Sequence, residues 1–474
     1  MKAAVKQTSL LTIEGMRVEF ASRRGHVVAV EGLDLSVEPG EILGVVGESG
    51  AGKSTIGNAV IGLLEPPGEM TAGTILLKGD RIDDLDDAGK RKIRGARIGM
   101  IFQDPLTSLD PLQTIERQLV DTIQQHLGLS DSEARSRAVD LLDQVGIPDP
   151  QVRIAQYPHQ FSGGMRQRVV IALALCADPE LVIADEPTTA LDVSVQAQIL
   201  DLMKALCRDR QVGMILITHD MGVISETADR VAVMYRGRVV ETGTTQQIMS
   251  KPTHDYTKSL ISAVPRPDKR LKRFPLVTYI EDAEERPEGL NLATHWLGKV
   301  REEHKLTGNL LELKDAHMRF ITRHSLFPSR RLYLDAVKDV SFAIQPGEVF
   351  GLVGESGSGK STIARMITGI YKPTGGSILF DGTDMTALQS RAAAAPYRRQ
   401  MQMIFQDPFS SLNPRMRVED IIEEPIHFHK MAYDREEARQ IMLDLLDVVA
   451  RCDLHRAAHR ACRNERICHH QMSQ

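Results

Sequence analysis

The stretch Val46-Gly-Glu-Ser-Gly-Ala-Gly-Lys-Ser-Thr-Ile56 decides the fold. It fits G-x-x-x-x-G-K-[ST], behind the apolar run Glu41-Ile-Leu-Gly-Val-Val46 and ahead of a helix-compatible segment. An apolar run that feeds straight into glycines reads as a buried parallel strand. Glycines let the backbone curl so that its N–H groups face phosphate oxygens, and the helix start adds a positive dipole end. Gly47, Ser49, Gly50, Gly52 and Thr55 belong to this cradle. Lys53 is expected to neutralise β- and γ-phosphates, and the Ser54 hydroxyl to ligate Mg²⁺.

An ordinary glycine-rich turn has no reason to recur with its context, and this one does. The loop returns as Val353-Gly-Glu-Ser-Gly-Ser-Gly-Lys-Ser-Thr-Ile363. Ile101-Phe-Gln-Asp-Pro-Leu-Thr-Ser-Leu-Asp-Pro111 returns at nearly the same separation as Ile404-Phe-Gln-Asp-Pro-Phe-Ser-Ser-Leu-Asn-Pro414. Two copies of one domain are therefore expected, over 11–265 and 310–474, joined by a polar, proline-bearing linker over 266–309.

Within the first copy, strand-like runs at Leu181–Ala184 and Met214–Ile217 alternate with helical spacing over Glu133–Val145 and Val195–Leu206. That alternation predicts an α/β architecture with a mostly parallel sheet. Leu181-Val-Ile-Ala-Asp-Glu-Pro187 puts two carboxylates at the end of a buried strand. Asp185 is placed to hold Mg²⁺ through water, and Glu186 to activate an attacking water as general base. Ser162-Gly-Gly164, before a long helical run, makes a second anion-binding helix start.

With these residues in this order, the chain resembles the ATP-binding subunit of an ABC transporter: a P-loop NTPase (RecA-like) nucleotide-binding domain with a helical subdomain, here in tandem. The resemblance makes Gly47–Thr55 the Walker A loop, Gln103 the Q-loop and a Mg²⁺ contact, and Phe161–Arg168, with Ser162, Gly163 and Gly164, the signature segment. It makes Asp185 and Glu186 Walker B and the catalytic glutamate, Thr189–Asp192 the D-loop, and His219 the switch histidine. The run after Gln103, and Pro252-Thr-His-Asp-Tyr-Thr-Lys-Ser-Leu260 before Ala263-Val-Pro265, resemble the dipeptide/oligopeptide/nickel importer group. Fused tandem domains resemble importers of glutathione-like and other short peptides. The implied cofactors are ATP and Mg²⁺. The implied partners are two integral-membrane permease subunits, a substrate-binding protein reached through them, and a second ABC domain in trans. Half-size members often carry a cysteine-rich segment after that proline; with no Cys between Cys207 and Cys452, no iron–sulfur cluster is expected.

The second copy keeps Gly354, Ser356, Gly357, Gly359, Lys360, Ser361 and Thr362 as its nucleotide loop, and Gln406, which with Ser361 would contact Mg²⁺. From about residue 450 the resemblance ends, and no second Walker B, catalytic glutamate, D-loop or switch histidine follows. The second copy is therefore expected to be incomplete, with unpaired apolar sheet edges. Neither site within the chain would then be whole, and pairing of first copies between chains would complete them. Cys462, Cys468, His469 and His470 match no common zinc spacing and read as an irregular tail. His26 and Tyr333 precede Ala-Val pairs at matching distances, which suits adenine stacking and a plain surface position equally.

Composition narrows the rest. The chain has 474 residues, with 58 Lys and Arg against 63 Asp and Glu. A net charge of −5 argues against a broadly basic nucleic-acid binder. That leaves a cytosolic tandem ABC ATPase on ribosomes or nucleic acid, and an inactive remnant, as the weaker alternatives. Five cysteines without a C-x-x-C pair fit a reducing compartment. With no apolar run long enough to span a bilayer, the expected location is peripheral, on the cytoplasmic face of the membrane.

Overall fold

Every residue of Ile42–Val46 is buried. The cause is a central position in a sheet with both faces covered. A computed structural model describes residues 9–22, 25–48, 50–188, 191–262, 264, 308–323, 332–355, 357–388, 390–405 and 411–451. The chain divides into two units, Met1–Glu281 and Asp282–Gln474.

In the first unit the described strands are β1 (Leu11–Ser22), β2 (Gly25–Val37), β3 (Ile42–Val46), β4 (Gly68–Leu77), β5 (Asp80–Arg81), β6 (Ile98–Ile101), β7 (Leu181–Asp185), β8 (Gly213–Thr218), β9 (Arg230–Tyr235) and β10 (Arg238–Thr244). They form a six-stranded sheet of order β10-β9-β3-β8-β7-β6 and a four-stranded sheet of order β2-β1-β4-β5. In the larger sheet only β10 runs antiparallel, as the hairpin partner of β9. The smaller sheet is antiparallel throughout, an element that alternating strand and helix signals do not predict.

Side chains of the parallel strands alternate between two cores, as the two-residue period of a strand requires. Leu43, Val45, Ile183, Ile215 and Ile217 face the antiparallel sheet and Ile56. Ile42, Val46, Val182, Ala184, Met214 and Leu216 face the other way, towards the helices. Those helices include Ile115–Leu127, Asp131–Gln144 and Gly163–Leu175, a separate helical layer. Its first two members start at Thr114 and Ser130, whose hydroxyls accept from Arg117 N–H and Glu133 N–H. The register Ile101↔Ala184, Asp185↔Ile217 and Val46↔Thr218 ends β6, β7, β8 and β3 level with one another. Their following loops therefore open on one edge, where open α/β sheets hold ligands.

In the second unit, β11 (Leu311–Arg323), β12 (Leu332–Ile344), β13 (Gly375–Phe380) and β14 (Thr383–Asp384) form an antiparallel sheet of order β12-β11-β13-β14. Leu313, Ala316, Ile363, Met366 and Ile378 fill its core, with Lys360–Ile367 as the packed helix. Among the described residues of this unit there is no parallel pair, and 349–355 and 401–405 form no strand. Val349, Val353 and Ile404 are 97, 90 and 98% exposed. Most of the expected linker and the tail from 452, with its cysteines and histidines, lie outside the described residues.

Candidate functional site

The loop after β3 needs glycine for two stated reasons. A Cβ on Gly47 would collide with the Met234 carbonyl, and one on Gly52 with the Ala29 carbonyl. Gly52 also has φ 93°, a left-handed conformation that side chains resist, and from it the helix Lys53–Val60 begins. Lys53 is only 6% exposed, and its Nζ donates to the Gly47 and Glu48 carbonyls at 2.7 Å each. Burial lowers its pKa, against the opposing pull of Glu186, Asp185 and Glu48.

Ser54 Oγ donates to Asp185 Oδ1 at 3.1 Å, joining the helix start to the end of β7. Asp185 is 8% exposed, and burial, with the nearby Glu186 charge, raises its pKa against the Ser54 hydrogen bond and Lys53. Next to it, Glu186 stands at φ 45°, left-handed for a side-chain-bearing residue. Its N–H donates to Ile217 O at 2.8 Å, so the neighbouring strand anchors the turn. Gln103 Nε2 donates to Glu186 Oε2 at 2.9 Å, and His219 Nδ1 lies 2.9 Å from Oε1. One carboxylate thus gathers side chains from the ends of β6, β7 and β8.

Two sets result: Ser54 hydrogen-bonded to Asp185 inside the loop, beside the buried Lys53, and Gln103 and His219 hydrogen-bonded to Glu186 at its mouth. Ser162 caps the helix Gly163–Leu175, accepting from Met165 N–H at 3.3 Å. Among the described residues, Ser162, Gly163 and Gly164 hydrogen-bond to neither set. Asp192 precedes the helix Val193–Arg210. Ser49, Thr189, Ser356 and Gln406 lie outside the described residues. Gly50 lies in the loop and Thr55 in the helix Lys53–Val60, and His26 sits exposed on β2, 3.5 Å from Glu19. In the second unit Lys360 Nζ donates to Gly354 O at 2.6 Å and Glu355 O at 2.7 Å, while Ser361 is exposed. Gly357, Gly359 and Thr362 keep the loop and helix start, and Tyr333 is exposed on β12.

Supports that sequence reading missed are mostly backbone. Gly237 N–H donates to Ala51 O at 3.1 Å, so the β9–β10 turn braces the glycine loop. Such contacts depend on strand order, and only the glycine of the turn signals them in sequence.

Residues 30–189 and 337–474 match the family described as ABC transporter. The chain belongs to that family. Residues 240–289 further match the oligopeptide/dipeptide transporter C-terminal region, which places this ABC ATPase in the peptide-importer group. The glutathione import ATP-binding protein GsiA of Salmonella typhimurium (strain LT2) is 41% identical over 444 residues, 91% of this chain and 69% of that protein. Its Escherichia coli (strain K12) counterpart is 41% identical over 445 residues, 91% and 70% of the two chains. A solved dimeric cassette in a post-hydrolysis state with ADP and phosphate is 28% identical, covering 50% of this chain and 98% of its own, at TM-score 0.46. The ABC cassette of the first unit is an ATP-binding, ATP-hydrolysing fold, and among the described residues no helix is long and apolar enough to cross a membrane.

Proposed function

We propose that residues 11–265 form a working ABC cassette that powers the import of short peptides, glutathione-like ones among them. Residues 266–309 would be a linker and 310–474 a second cassette region. The observation that carries this reading is the Gln103–Glu186–His219 cluster at the mouth of a loop that buries Lys53.

The residues fit ATP with Mg²⁺. Glycines at 47 and 52 clear the backbone for phosphate, and a Ser54 hydroxyl beside an Asp185 carboxylate offers the hard oxygen donors that magnesium prefers. Ser54 and Asp185 would hold magnesium, which would supply charge neutralisation at the phosphates. Lys53 would turn from the Gly47 and Glu48 carbonyls towards the phosphates. Glu186 would accept a proton from the attacking water, with His219 and Gln103 fixing the orientation of its two oxygens. The role of Ser162, Gly163 and Gly164 lies across an interface, which their separation from both sets supports. They would close over nucleotide held by a second cassette, and Asp192 would meet that partner near the same seam.

Two membrane permease subunits would couple this closure to transport, with the cassette peripheral on the cytoplasmic face and a binding protein choosing the solute. Nothing in the fold, the site or the relatives favours an inactive remnant or a ribosome- or nucleic-acid-directed ATPase. The test is Mg²⁺-dependent ATP turnover of the purified chain across a dilution series, beside Glu186→Gln. Turnover per chain that rises with concentration and vanishes in the variant is expected. A soluble chain that binds ATP without any turnover would sink the proposal.

A further inference from the structure

The run Pro252–Leu260 enters the sequence argument only as a marker of transporter group, yet it reaches the nucleotide loop. Tyr256 is fully buried, its ring centroid 4.5 Å from that of Tyr235. Its hydroxyl accepts a hydrogen bond from the backbone N–H of Glu48 at 3.0 Å. Burial pushes this phenol up to about 12, so the hydroxyl stays protonated at neutral pH.

The approach to Tyr256 is itself tied down. The Glu241 carboxylate on β10 accepts from Thr253 N–H and Oγ1 at 2.7 Å each and from His254 N–H at 3.1 Å. His254 Nδ1 then accepts from Tyr256 N–H at 3.2 Å. The residue Glu48 is thus gripped twice, by Tyr256 at its N–H and by Lys53 at its carbonyl.

We propose that Tyr256 is a positioning residue for nucleotide binding, holding the Glu48 peptide when Lys53 leaves it for phosphate. This rests on the reading that the loop holds ATP. In the free loop two groups fix Glu48, and in the loaded loop one of them is diverted. Loss of the hydroxyl therefore costs the loaded state more than the free one, and a contact that differs between two states shifts their balance.

The test is ATP binding and turnover by the full chain carrying Tyr256→Phe, which keeps the ring and removes the hydroxyl. Kd and KM for ATP are expected to rise about five-fold, the scale of one lost hydrogen bond, with kcat within about two-fold. Thermal stability should change little. An unchanged Kd, with or without a lower Tm, overturns the proposal. Should Tyr256→Phe fail to fold, Glu241→Gln loosens the tether instead and should raise Kd about two-fold; an unchanged Kd there overturns it equally. Undiminished ATP binding by Lys53→Ala would instead remove the reading of the loop, independently of Tyr256.

Discussion

Lys53–Val60 and Lys360–Ile367 are one helix written twice, starting from Gly52 and Gly359 at φ 93° and 95°. Each lysine folds back on the carbonyls of the loop before it. The residues just upstream differ completely: Ile42–Val46 is a buried strand, whereas Val349 and Val353 are almost fully exposed and form none. A helix and its loop close their hydrogen bonds within a few residues, so near-identical sequence repeats the same local shape. A strand makes no such bonds within itself, and each of its N–H and C=O groups must find a neighbour. For β3 those neighbours are β8 and β9, and among the described residues of the second unit no two strands pair in parallel.

The largest effect that separates the two regions is chemical. Glu186→Gln should lower ATP turnover about 100-fold or more, the scale of losing a general base. Lys53→Ala should abolish turnover, and Lys360→Ala should reduce it far less, since Lys53 stands beside the Ser54–Asp185 pair and the Glu186 cluster. Equal losses from the two lysine variants, measured under saturating ATP, would break the comparison.

Stability gives the next contrast. Ile42→Ala, in β3, should cost about 2–4 kcal/mol in denaturant unfolding because it opens a cavity in a closed core. Val349→Ala, at the matching place, should stay within about 0.5 kcal/mol. Hydrogen exchange sharpens the same point without a mutation. Amides of 43–46 should be protected nearly to the global unfolding limit, and those of 350–353 should exchange as free chain.

What was legible in the sequence follows the same division. Leu181–Ala184 and Met214–Ile217 announced themselves as short apolar runs ending in polar residues, and the structure extends them by a residue or two. The antiparallel sheet did not, because β1 pairs with β2 through three register shifts that interrupt its alternation. The site residues could be named one by one. Their meeting on the Glu186 carboxylate could not, since it depends on β6, β7 and β8 lying side by side. Tyr256 was hidden for the same reason, its partner being a backbone N–H far earlier in the chain.

The smallest predicted effect is a pH dependence in the first unit. Burial pushes the Glu241 carboxyl up, but donors from Thr253 and His254 outweigh it and hold the pKa below the usual range. A depressed pKa stabilises the fold fully above the unfolded value and loses that stability as pH falls through the folded one. Melting temperatures of wild type and Glu241→Gln should therefore differ most near neutrality and converge in acid below about pH 4. A gap that persists there would detach Glu241 from the support of the loop.

Glu186 carries a consequence for laboratory evolution. At φ 45° it occupies backbone space where glycine or asparagine would rest more easily, held there by the bond from its N–H to Ile217. A library selected for heat resistance alone should drift towards Gly or Asn at 186, and a library selected for turnover should keep Glu. That single codon is where durability and work would be traded against each other.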